Sequence, residues 1–98
     1  MQEPFTKVGG ARIGWINFSW PLALLSATHD KLIIRVMFDA YTFAPNDVYA
    51  IERYKGFISE GICIRHNVAS YPERIIFWSN PEKVLSSIWD AGFAAEAR

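Results

Sequence analysis

The sequence predicts a mainly β fold of the α+β kind, with about seven antiparallel strands in a sandwich or partly open barrel capped by one C-terminal amphipathic helix. Three observations carry that expectation. Apolar and polar residues alternate through most of residues 16–78, the period of half-buried strands. The period changes after Ser79-Asn80-Pro81-Glu82, which reads as a helix start: an Asn cap, proline at the first helical position and an acid in the first turn. Finally, 98 residues leave room for one domain with a small core.

Taken in order, residues 1–10 are polar and end in Val8-Gly9-Gly10, so they read as a loose lead-in; residues 11–93 form the domain and 94–98 a tail. Ile16 to Trp20 is a first strand, Pro21 interrupts the ladder because it donates no N–H, and Leu22 to Thr28 resumes it. His29-Asp30-Lys31 is a turn, and Leu32 to Phe38 is the clearest strand. Tyr41-Thr42-Phe43 follows, ended by Pro45-Asn46-Asp47. Val48 to Tyr54 and Ile62 to His66 flank a loop bracketed by Gly56 and Gly61, and Arg74 to Trp78 closes the β region. Val84, Leu85, Ile88, Trp89 and Phe93 then form one apolar stripe on a helix of about eleven residues, with Gly92 placed to end it.

Composition narrows the function. At 51 % hydrophobic and 15 % aromatic the chain is too apolar for disorder. Ten Lys and Arg balance ten Asp and Glu, so it lacks the cationic surplus of a general nucleic-acid binder. The single cysteine, Cys63, excludes an internal disulfide and a multi-thiolate metal site. Met1 to Lys7 has no signal-peptide pattern and Trp20 to Leu25 is the longest apolar run, so the expected compartment is the cytoplasm.

The succession Leu32 to Phe38, Tyr41-Thr42-Phe43, Val48 to Glu52, Gly61 to Ile64 and Ile75 to Trp78, followed by a helix carrying Trp89, resembles the pleckstrin-homology-like fold over residues 13–93. It looks most like the small bacterial single-domain members. The resemblance implies a fold and, in the members that bind phosphoinositides, Lys and Arg around the first hairpin. If the first hairpin turn lies at Trp20-Pro21 no basic residue is near it; if it lies at His29-Asp30-Lys31 only Lys31 and Arg35 could serve, beside Asp30, which is thin for a multiply charged headgroup.

The candidates for chemistry are few. Cys63 and His66 could be nucleophile and base, but residues three apart on one strand point to opposite faces, so Cys63 reads as a strand filler and His66 as a rim residue. His29 beside Asp30 reads as a solvated pair in a turn. Two histidines 37 positions apart make no metal signature, and Asp39, Asp47, Glu52, Glu60, Glu73 and Asp90 share no pairing spacing. Neither a catalytic residue nor a cofactor is therefore expected. Trp15, Trp20, Trp78 and Trp89, with Phe18, Phe43 and Phe77, could line a cavity or stack bases, but most of these rings are expected in the core.

One oddity points outward. If Leu32, Ile34, Val36 and Phe38 face the core, then Ile33 and Met37 flank Arg35 on the other side, and Trp15 lies opposite Ile16 and Phe18. Unless residues 1–10 or the helix cover it, that second face is an apolar patch of the kind that meets a partner. The expected function is therefore a non-enzymatic module that binds itself or another protein through Trp15, Ile33, Arg35 and Met37, with neither nucleic acid nor membrane as partner. The alternative is a ligand-binding module, either for an acidic lipid headgroup through Lys31, Arg35, Arg53 and Lys55 or for a small apolar molecule within the barrel.

Overall fold

A computed structural model describes residues 4–93. Its strands are β1 (Phe5–Ile13), β2 (Ile16–Ala27), β3 (Leu32–Val36), β4 (Asp39–Phe43), β5 (Val48–Lys55), β6 (Glu60–His66) and β7 (Ile75–Trp78), followed by helix α1 (Pro81–Asp90). All pairings are antiparallel, in one sheet of order β4-β3-β2-β1-β7-β6-β5. The fold is thus mainly β with a single C-terminal helix.

That order forces the sheet to curl. Its two edge strands, β4 and β5, are consecutive in the chain and joined only by Ala44 and a single 3-10 turn at Pro45–Asp47. Seven flat strands would set the edges about 29 Å apart. The link from Phe43 to Val48 can span at most about 18 Å. The sheet therefore rolls into a half-barrel. Its open seam is bridged by the β6–β7 loop, whose Tyr71 hydroxyl accepts from the Thr42 N–H at 3.1 Å and donates to the Thr42 carbonyl at 3.3 Å. The Tyr71 ring also meets Phe43 edge-on at 5.4 Å and Tyr41 at 5.1 Å. A tyrosine thus supplies β4 with part of the pairing that an eighth strand would have given.

The concave side is the core. Alternate residues point into it: Ala11 and Ile13; Ala23, Leu25 and Ala27; Leu32, Ile34 and Val36; Ile62 and Ile64; Ile75 and Phe77. Helix α1 covers this side with Val84 and Ile88, and Ala91 and Phe93 continue the buried stripe past its end. Asn80 caps it, its side chain accepting from the Lys83 N–H at 3.0 Å, and Gly92 at φ 93° ends it.

Three expectations are corrected. Residues 5–10 are not a lead-in but most of β1, and Val8, Gly9 and Gly10 sit mid-strand; residues 94–98 lie outside those described. The two expected strands on either side of Pro21 are one twelve-residue strand, β2, that passes through a cis Trp20-Pro21 bond. Between Gly9 and Ala11 the partner on β2 jumps from Ala23 to Phe18, so β2 carries three extra residues there. An odd insertion reverses the alternation, and the inward set changes from Phe18 to Ala23, Leu25 and Ala27. Lastly, β3 ends at Val36, not Phe38. Met37 and Phe38 form the two-residue β3–β4 turn, with Met37 at φ 48° and Phe38 almost wholly exposed.

Candidate functional site

Of the residues expected to meet a partner, Trp15, Arg35 and Met37 are exposed and Ile33 is half-buried, and the four do not form one patch. Ile33 and Arg35 lie on the convex face of β3, level with Ser26 and Leu24 of β2 and with Thr42 and Ala40 of β4, a mixed surface. Trp15, 93 % exposed, tips the β1–β2 turn beyond the Ile13–Ile16 pair. Met37 follows Val36, whose partner is Ala23, several residues farther along β2. The cations of the alternative reading do not converge either. Arg35 lies on the convex face of β3, whereas Arg53 of β5 shares the face of its partner Ile62, on the side that the helix covers. Arg53 is moreover engaged by Glu82 of the helix at 2.9 Å.

The aromatic rings divide by type. Phe43 and Phe77 are buried and Phe18 packs partly against the core, as expected. The four tryptophans do not join them: Trp15, Trp20 and Trp89 are mostly exposed, and Trp78 is half-buried on the convex face. Trp89 departs from its helix stripe for a geometric reason, because the half-barrel mouth accepts Val84 and Ile88 and leaves the edge of the stripe outside.

Trp78 is the floor of a groove of about 770 Å³ lined by β1, β2, the end of β7 and the β5–β6 turn. Its indole N–H donates to the Asn17 side-chain oxygen at 2.7 Å, which fixes the ring's orientation. Tyr54 packs beside it at 5.8 Å. Room for the ring comes from missing side chains: a Cβ on Gly56 would stand 2.9 Å from the indole, and one on Gly10 3.2 Å. The three-residue insertion in β2 raises Trp20, 71 % exposed, along one wall. Opposite, the β5–β6 turn presents Phe57 fully exposed and Ile58 at 91 %. Arg12 of β1 and Glu60 of β6 line the same groove, one on either side of β7. Such a surface, aromatic and only lightly charged, can bind by burial and stacking.

Cys63 and His66 point to opposite sides of β6, as their spacing predicts. Cys63 lies on the convex face between Ile76 and Glu52, and burial pushes its thiol up from the usual range, Arg65 opposing only in part. Stability from this group is present below the unfolded thiol's pKa and is lost as pH rises above it towards the folded value. Iodoacetamide at pH 8 is expected to alkylate the native protein at least about tenfold more slowly than the urea-unfolded chain; equal rates would show Cys63 to be open. His66, expected at the rim, is instead enclosed against Phe43 and Tyr71. Its Nδ1 accepts from the Val68 N–H at 3.1 Å and its Nε2 donates to the Pro72 carbonyl at 2.9 Å, so it works as a neutral loop clamp. Asp30 accepts from the Thr28 hydroxyl at 2.9 Å, a bond that holds its carboxyl below the usual range.

No group of three or more metal-ligating side chains occurs among the described residues, and no helix of theirs is long and apolar enough to cross a membrane. The groove escaped the sequence because its residues come from four separated segments with no common spacing. Gly9-Gly10 and the Gly56–Gly61 loop were its visible traces. Searches against protein-family models, curated proteins and solved structures find no match to this chain.

Proposed function

We propose that this chain is a non-enzymatic interaction module, cytoplasmic and pleckstrin-homology-like, that binds a protein surface through the convex groove. One observation carries the reading: Trp20, Phe57 and Ile58 stand exposed around a floor of Trp78 and Tyr54. Small domains rarely leave large apolar side chains gathered in water unless a partner covers them, and aromatic side chains are enriched where proteins meet. The strand count, the terminal helix and Trp89 support the family resemblance, and the lone thiol supports the compartment.

A photo-crosslinking phenylalanine analogue at position 57 tests this in the native cell, with the same analogue at Asp30, in the β2–β3 turn, as control. A discrete protein adduct from position 57 and none from position 30 is expected. Equal yields from both positions, or none from 57, would remove the reading.

A further inference from the structure

We infer that the partner is a protein segment with acidic residues beside its apolar anchor, its carboxylates meeting Arg12, Arg65 and Arg74 on the convex face that also carries Trp78. This rests on the binding-module reading and adds the partner's chemistry. The register brings the three arginines together. Arg12 of β1 stands opposite Ile76 of β7, and Ile76 opposite Cys63 of β6, all on the convex face. At the next position on that face Arg65 follows Cys63 and Arg74 precedes Ile76, so the antiparallel strands set these two side by side. The contacts agree. Burial raises the Cys63 thiol, and Arg65 and Arg74 both pull it back down, so both guanidiniums stand near it. The Arg74 carbonyl accepts from the Gly14 N–H at 2.8 Å. The Arg12 Nε donates to the Gly14 carbonyl at 3.3 Å, which turns that side chain toward Arg74, and the two line one depression of about 580 Å³.

Folding does not account for this cluster, because like charges on neighbouring strands cost stability. Among the described residues one carboxylate pairs with any of the three, Glu52 at 3.6 Å from Arg65, and Glu73 borders the depression without pairing. The chain as a whole is neutral, so the arginines are a local concentration of positive charge. Their planar forks suit carboxylates, which they can grip with two hydrogen bonds at once. A nucleic acid or an anionic lipid surface would bring its phosphates against Glu52 and Glu73 too, and would leave Trp78 and Tyr54 bare. A peptide can set single carboxylates on the arginines and an apolar side chain on the rings. Arg74 precedes Trp78 by four residues, about 13 Å of extended chain. A partner lying extended along β7 therefore carries its acids about four residues from its apolar anchor.

The test pans random peptides displayed on phage against the purified chain, then measures a synthetic copy of the enriched sequence by fluorescence polarisation. Enriched peptides are expected to carry two or more Asp or Glu about four residues from a Trp, Phe or Leu. Arg65→Gln and Arg74→Gln should each weaken that peptide at least about fivefold at low salt, and less as salt is added. Neither should lower the melting temperature, since both side chains are exposed. Phe57→Ser should weaken the peptide as well. Enriched peptides without acids, or acidic peptides that Arg65→Gln and Arg74→Gln leave unchanged, would overturn the proposal. So would phosphatidylserine vesicles that bind the wild-type chain and not Arg74→Gln. Peptides without acids that Phe57→Ser releases would overturn the acidic partner alone and leave the groove; no enrichment together with no crosslink from position 57 would remove both readings.

Discussion

Phe77→Ala is expected to destabilise the fold by about 3–5 kcal/mol, a large part of the roughly 5–15 kcal/mol that holds a domain together. Phe77 is fully buried on the inner side of β7, the strand that joins the two halves of the sheet. Its ring occupies the space beside Gly9, where a Cβ would stand 2.8 Å from it. Removing the ring leaves a void with no neighbouring side chain at Gly9 to lean into it, so the site collapses poorly and the cavity cost adds to the transfer cost. Phe77→Leu keeps most of the volume and should cost less than half as much. Urea unfolding followed by fluorescence reads both; a loss below about 1 kcal/mol for the alanine variant would mean that the half-barrel closes without this ring.

Gly61→Ala comes next and acts by intrusion. A Cβ at position 61 would collide with the carbonyl oxygen of Phe77 and crowd the Trp78 Cα, both backbone of the paired strand. Backbone cannot turn aside as a flexible side chain can, so β6 and β7 must separate. A cost of about 1–3 kcal/mol, or more, is expected from one methyl group. The same strands carry the Trp78 floor, so the variant should also shift the indole while the chain is still folded, read as a change in its fluorescence. Unchanged melting would show that β6 and β7 approach less closely than described.

Legibility in the sequence followed local physics. β3, β6, β7 and α1 were readable because Leu32, Ile34 and Val36, Ile62 and Ile64, and Ile75 and Phe77 alternate, and because Asn80-Pro81 is a strong helix start. β1 was hidden because Gly9 and Gly10 resemble loop residues. Their reason for being in a strand is tertiary: a phenylalanine and a tryptophan from 68 or so positions away need the space. The Pro21 region was seen as a break, but that the break is an odd insertion, reversing faces, depends on β1 opposite. Met37 reads as strand because it continues the alternation of Leu32 to Phe38, and only the pairing of Val36 with Asp39 shows the turn, where Met37 takes a positive φ that methionine seldom adopts. The predicted interaction residues Trp15, Ile33, Arg35 and Met37 followed from strand parity alone, whereas the groove depends on which strands become neighbours.

The sheet order also sets a timetable. β1 sits in the middle of the sheet, yet one of its two neighbours, β7, begins 62 residues after β1 ends. During synthesis the meander from β1 to β4 can form early, with the Gly10–Ile13 flank of β1 bare until Ile75–Trp78 have emerged. A bare flank is a template for another chain's strand. Residues 60–78 therefore serve the nascent protein as its protection, and a chain cut short before Ile75 would carry an open edge through the centre of its own fold.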